Sequence, residues 1–139
     1  MKKIFSIVVA ALVAITGFAQ SKAPQSVTDA FHAKFPDALN VKWDKEGKHE
    51  YEAGFDWNGK KCSANFADTG EWLETESPLS FTDLPERVRE VFNSTHKKVA
   101  IVAVAKIDTS KGAVKYEIEF KNGIKTDEVF YSANGTEVK

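Results

Sequence analysis

The sequence predicts an α+β protein: one antiparallel sheet of eight strands with two helices packed on one face, built as two tandem helix-plus-four-strand repeats. Three observations predict it. First, four short patterns occur twice in the same order. Pro24-x-x-Val27 with Ala30-Phe31 returns as Pro85-x-x-Val88 with Val91-Phe92, and Tyr51-Glu52-x-x-Phe55 as Tyr116-Glu117-x-x-Phe120. Asn58-Gly59 returns as Asn122-Gly123, and Asp68-Thr69-Gly70 as Ala133-Asn134-Gly135, all at offsets of 61 to 65 residues. Self-similarity at a near-constant offset is the mark of a repeated unit. Second, each unit opens on helical periodicity and continues in strict alternation. Third, the alternating stretches carry apolar residues on one face only, which describes an antiparallel sheet covered on one side.

The elements follow in order. Val27, Ala30, Phe31 and Phe35 form an apolar helical stripe. Pro24 suits its first turn, and Pro36 stops it at or before Phe35. Leu39, Val41 and Trp43 then alternate with Asn40, Lys42 and Asp44, and Tyr51, Ala53 and Phe55 with Glu50, Glu52 and Asp56. Asn58-Gly59 has the residues a two-residue hairpin prefers. That turn pairs Phe55 with Cys62, Ala53 with Ala64 and Tyr51 with Phe66 on one face, and Asp56 with Lys61 and Glu52 with Asn65 on the other. The fourth strand is expected over 71–77, and the linker 77–82 joins the units.

Leu84, Val88, Val91 and Phe92 repeat the helical stripe, with Asp83 and Glu86 spaced for a capping box. The fifth strand, Ala100 to Ile107, is apolar on both faces, as suits a central position. Read as a three-residue loop, Lys121-Asn122-Gly123 pairs Phe120 with Ile124. That puts Glu128 on the inner face and calls for a bulge near Val129-Phe130-Tyr131. A short last strand covers 136–139.

Met1-Lys2-Lys3, the apolar run Ile4 to Ile15 and the small residues of Thr16-Gly17-Phe18-Ala19 have the layout of a secretory signal peptide cut after Ala19. We therefore expect a leader at 1–19 and a single domain at 20–139 with repeats at 24–77 and 82–139. The expected location is periplasmic or secreted, with no membrane insertion after cleavage. Of the 139 residues, 28% are charged and 42% hydrophobic, which excludes a disordered chain. Removing the leader takes Lys2 and Lys3 and no acid, leaving 17 basic against 20 acidic side chains. Such a balance gives no reason to expect nucleic acid as a partner. Cys62 has no second cysteine to pair with and shares a strand face with Ala64 and Phe66, as buried filler would.

No catalytic set converges in the sequence, so no enzyme is expected, and neither is a cofactor or a metal. His32, His49 and His96 lie apart and read as solvated residues. Glu50 with Glu52, and Glu117 with Glu119, read as solvated strand charges; an enzymatic reading requires strongly raised pKa values there. An unknown protein partner is the better expectation. Its contact residues are taken as Trp57, Trp72, Glu52, Lys61, Asn65 and Glu117 on the open sheet face, with Trp72 facing outward. The alternative is a small-ligand carrier whose pocket lies between helices and sheet, lined by Phe31, Tyr51, Phe55 and Tyr116.

The run from Pro24-x-x-Val27 through Phe35-Pro36 to Val41-x-Trp43, with Tyr51-Glu52-Ala53-x-Phe55, Asn58-Gly59 and Gly70-x-Trp72-Leu73-Glu74, resembles the PepSY-like, or β-lactamase-inhibitor-like, family. The resemblance implies a secreted or periplasmic protein of tandem helix-plus-four-strand units, of the kind common in gut-type Bacteroidetes. β-Lactamase inhibitory proteins of similar architecture bind their enzyme with the concave sheet face, and PepSY domains of protease propeptides are thought to restrain the protease. With one cysteine, this sequence departs from those inhibitors, which use disulfides. The family offers no catalytic residues to carry over.

Overall fold

A computed structural model describes residues 22–139; the expected leader at 1–19 lies outside the described residues. Two helices, α1 (Gln25–Lys34) and α2 (Glu86–Thr95), accompany eight strands. These are β1 (Leu39–Glu46), β2 (Glu50–Trp57), β3 (Lys60–Ala67), β4 (Trp72–Pro78), β5 (Ile101–Thr109), β6 (Val114–Asn122), β7 (Lys125–Ser132) and β8 (Glu137–Val138). The strands form one antiparallel sheet in which every strand pairs with its neighbours in sequence, β1 through β8. No helix among the described residues is long and apolar enough to cross a membrane.

The first hairpin has the register its turn dictates. Phe55 pairs with Cys62, Ala53 with Ala64 and Tyr51 with Phe66, while Asp56 faces Lys61 at 3.0 Å between side chains. Each helix lays its apolar stripe on the sheet. Val27, Phe31 and Phe35 pack with Trp43, Ala53, Phe55, Ala64 and Phe66, and the Phe31 ring sits edge-on to Phe55 at 4.9 Å. Leu84, Val88 and Phe92 of the second half pack with Val104, Ile118, Phe120, Val129 and Tyr131. Both helices cover the same side, because the pairs Phe55–Cys62, Ser77–Lys106, Lys106–Tyr116 and Tyr116–Tyr131 run in line across the sheet. Cys62 joins the first half of that line to Ser77, with Sγ 3.7 Å from the hydroxyl. Its thiol is buried, and desolvation pushes its pKa up, in keeping with filler rather than a reactive group.

Four local expectations are corrected. Asn40 takes a φ of +54° inside a register shift between Leu39 and Lys42. That extra residue turns Leu39 to the other side, where it is 65% exposed. The capping box does not form: Pro85 occupies the cap of α2 with no side-chain bond, and Asp83 belongs to a short 3₁₀ turn, Phe81–Asp83. The β6–β7 loop holds two residues, Gly123 and Ile124, since Asn122 pairs with Lys125. Pairing therefore continues evenly through Val129, Phe130 and Tyr131, and Glu128 lies on the open side without a bulge. His96 is not simply solvated, for its ring stacks on Phe92 at 4.8 Å and meets Phe120 at 4.5 Å.

Two turn glycines let the sheet approach the helices. A β-carbon on Gly70 (φ +92°) meets the Ser26 carbonyl oxygen of α1 at 2.7 Å, and one on Gly135 (φ +81°) meets Arg87 of α2 at 2.9 Å. Gly70→Ala is therefore expected to cost more than about 1 kcal/mol, from backbone strain and from displacement of the helix. Gly54, with ordinary φ and open space around it, should change by less than about 0.5 kcal/mol on substitution by Ala. Urea unfolding midpoints of the two variants check both; equal midpoints would refute the close approach.

Candidate functional site

The side of the sheet away from the helices carries no covering layer, and its middle has an unusual composition. Along β5, Ala103, Ala105 and Ile107 point to this open face, opposite in sense to Val104 in the second core. Ala105 and Ile107 are buried although they belong to neither helix-side core. Carboxyl side chains stand on both sides of this apolar line. Glu74 and Glu76 come from β4, where Glu76 pairs with Ile107. From β6 come Glu117, paired with Ala105, and Glu119, paired with Ala103. Beyond them, Glu119 lies directly opposite Glu128 of β7, and Glu52 of β2 lies opposite Asn65. A like-charge pair placed directly across two strands is destabilising when both members are ionised.

Burial makes this crowding costly. Glu117 is 2% exposed and Glu119 5% exposed. Both oxygens of Glu117 and Oε1 of Glu119 are shut off from solvent with no N–H or hydroxyl donor against them, and the polar neighbour of Glu117 is another acid, Glu128. A buried carboxylate without a donor bears its full desolvation cost, so it holds its proton. Desolvation, with Glu46 next, pushes Glu52 up to about 7. Desolvation, followed by the charges of Glu52 and Glu74, pushes Glu76 up to about 7 as well. Glu117 is raised further, by desolvation first and then by Glu76 and Glu128. Glu119 and Glu74 are raised also, mainly by desolvation. The cations nearby stand at the margins, where Lys115 and Lys121 offset only part of the rise at Glu74 and Glu119 and hydrogen-bond to other groups. Lys61 pairs with Asp56, Lys115 donates to the Lys139 carbonyl, and Lys121 donates to Thr126.

Glu52, Lys61, Asn65 and Glu117 thus share the open face, as the alternation predicts. Glu52 and Glu117 are not the solvated strand charges expected of them, because the flanking strands bury them. Trp57 and Trp72 lie on the opposite side. Trp72 pairs with Phe66 while Glu74 pairs with Asn65, so two residues of β4 span one step of β3. This bulge reverses the parity and turns the indole toward α1. There its ring lies beneath the Lys34 ammonium at 3.6 Å, and its N–H donates to Thr75 at 2.9 Å. Trp57 meets Phe35 edge-on at 5.1 Å. The expected ligand pocket is filled by core: Phe31 and Phe55 are buried in contact with each other. A different cleft, of about 260 Å³, lies at the end of α1, lined in part by Lys34, Trp57, Trp72 and Asp108. What sequence reasoning missed are Glu74, Glu76 and Glu128 as partners of the Glu117–Glu119 pair, and the same Glu-x-Glu spacing in β4 was the available signal.

The sequence pattern of the family described as "Putative beta-lactamase-inhibitor-like, PepSY-like" matches residues 49–138. No curated protein is similar in sequence. Among solved structures, a DUF2874 family protein from Bacteroides ovatus is 24% identical, with a TM-score of 0.76 over 86% of each chain. A "putative periplasmic" protein from Bacteroides eggerthii is 19% identical, with a TM-score of 0.79 over 86% of this chain and 88% of that one. A BLIP-like protein from Bacteroides fragilis is 22% identical, with a TM-score of 0.73 over 87% of this chain and 86% of that one. At such identities the likeness shows the fold alone.

The carboxyl cluster gives stability a definite pH dependence. A carboxyl whose pKa rises on folding binds its proton more tightly in the native state, so its burial costs nothing below the unfolded value. Stability then declines as pH climbs from about 4.5 through about 7 for Glu52 and Glu76. The melting temperature should fall between pH 5 and pH 8. Glu117→Gln should raise it at pH 8 by about 5 °C and flatten the fall. A variant as pH-sensitive as the parent would refute the electrostatic account.

Proposed function

The chain belongs to the PepSY-like, beta-lactamase-inhibitor-like family, and on that premise we propose that it is a non-enzymatic, exported protein of the periplasm or cell exterior. It binds a protein partner on the open face of its sheet, and inhibition of an envelope enzyme is the form of binding its family name points to. The observation that carries this reading is the uncovered face itself. Both helices are spent on the other side, and the open side holds crowded carboxyls, some of them buried without an N–H or hydroxyl donor, which costs an isolated monomer stability. The periplasmic description of the Bacteroides eggerthii protein supports the location. The same proposal includes an origin by duplication. Each half runs helix then four strands, and Gly70 and Gly135 meet their helices in the same way.

Desolvation and crowding make these carboxyls hold their protons to higher pH than usual, as a general acid must. They face one another, Ser63 and apolar side chains, however, and among the described residues the nearby lysines hydrogen-bond to other groups. That arrangement lacks the second, oppositely tuned group that acid–base chemistry uses, so the reading stays with binding. The cleft beside Trp57 and Trp72 is the specific observation that favours the ligand-carrier alternative.

Immobilised protein, exposed to envelope and culture-supernatant proteins, separates the two. Gly54 sits on the open face with space around it, so Gly54→Trp obstructs that face while keeping every carboxyl in the chain. Capture of a specific protein should drop at least ten-fold with Gly54→Trp and persist with Lys34→Ala in the cleft. The opposite pattern, or a small molecule co-purifying in native mass spectra and lost with Lys34→Ala, would move the site to the helix side.

A further inference from the structure

Resting on the open-face reading and deepening it, we propose that this face receives a Lys or Arg side chain from a basic segment of the protein partner, seated over β5 between the carboxyls of β4 and β6. The register makes the site. Glu76 on β4 and Glu117 on β6 are separated by one strand, and between them that strand offers Ala103, Ala105 and Ile107 to the open side, with Thr109 beyond, opposite Glu74. The result is an apolar line between carboxyls, with Ala105 and Ile107 closed over by their neighbours and Ala103 partly open. Lys and Arg match it in both parts, since their alkyl stems pack on apolar surface while the charged head seeks acids.

An acidic surface alone would say little about a ligand. Here one oxygen of Glu119 is sealed from solvent with no partner, and the two sealed oxygens of Glu117 meet only another acid, Glu128, rather than an N–H or hydroxyl donor. Native proteins seldom leave buried polar atoms unpaired, and an incoming guanidinium or ammonium supplies the missing donors. Glu128 is exposed and Glu52 and Glu76 are half-buried, so a cation can reach these carboxyls, while Glu117 is sealed from solvent. An organic cation fits better than a metal: among the described residues no group of three or more His, Cys, Asp or Glu side chains is placed to hold a metal ion. The groups facing the site are Asp44 and Glu46 on β1, Glu50 and Glu52 on β2, Asn65 on β3, Glu74 and Glu76 on β4, Lys115, Glu117, Glu119 and Lys121 on β6, and Glu128 on β7. Because the carboxyls must ionise to hold a cation, occupancy strengthens as pH rises and releases protons.

Triarginine is the probe, titrated into the isotopically labelled protein at pH 8 and at pH 5, with calcium chloride at matched ionic strength alongside. Amide shifts should concentrate in 74–78, 103–107 and 117–119. Affinity should fall at least ten-fold at pH 5, and at least ten-fold at pH 8 in the Glu76→Gln/Glu117→Gln variant. Those neutral substitutions keep the side-chain shape, and circular dichroism confirms that the variant folds. Shifts scattered over the surface and indifferent to the variant would overturn the proposal. So would calcium producing the same shifts at lower concentration, which would assign the site to a metal. No triarginine binding by the parent protein, with partner capture that is still lost in Gly54→Trp, would refute the basic side chain while sparing the open-face reading.

Discussion

The constraint on which this structure turns is one of coverage. A sheet of eight strands must hide one face, and the chain spends two helices of ten residues each on the task. At about 1.5 Å per residue each spans only some 15 Å, enough for the strands of its own half. Two separate apolar cores result, one under Phe31 and one under Phe92. Between them the helix side turns polar, with Thr75, Ser77, Lys106 and Asp108 in the central strands and a Lys106–Asp108 ion pair at 3.0 Å. The central strand β5 answers by placing Ala105 and Ile107 on the side with no helix at all.

That inversion produces the electrostatics. Carboxyls on a flat, wet sheet face would be solvated and cheap. Flanking an apolar line in the middle of eight strands, they lose water and crowd one another, and Glu119 and Glu128 meet head-on. Charge on the whole chain is nearly balanced, so the concentration is local and comes from register rather than composition. The same register keeps the lysines at the rim, where each has found an oxygen of its own. The open face is thus the part of the molecule held furthest from electrostatic satisfaction, and functional sites commonly carry such stress.

Much of the fold was legible, and the reasons are specific. Asn58-Gly59 takes φ of +51° and +74°, the conformation its residues favour, and a tight turn of known length fixes every pair after it. Helix stripes at Val27 and Phe31, and at Val88 and Phe92, were readable because spacing alone decides which residues share a helical face. Failures arose wherever parity shifted by one. At Leu39 and at Trp72 an extra residue enters the strand, and the alternation that places every other side chain then places these on the wrong side. Of the candidate site, Glu52, Lys61, Asn65 and Glu117 were assigned to the correct face, while their burial was not foreseen.

By itself the sequence determined the α+β class, the first hairpin's register and the faces of most side chains, because these follow from turn chemistry and periodicity within a few residues. Only the tertiary structure decided which acids lose their water and which oxygens go unpaired. Glu76, Glu117 and Glu128 lie far apart along the chain, and desolvation depends on what stands beside a carboxyl in space. It decided the place of Trp72 as well, since a bulge is an agreement between two strands and neither strand's sequence records it.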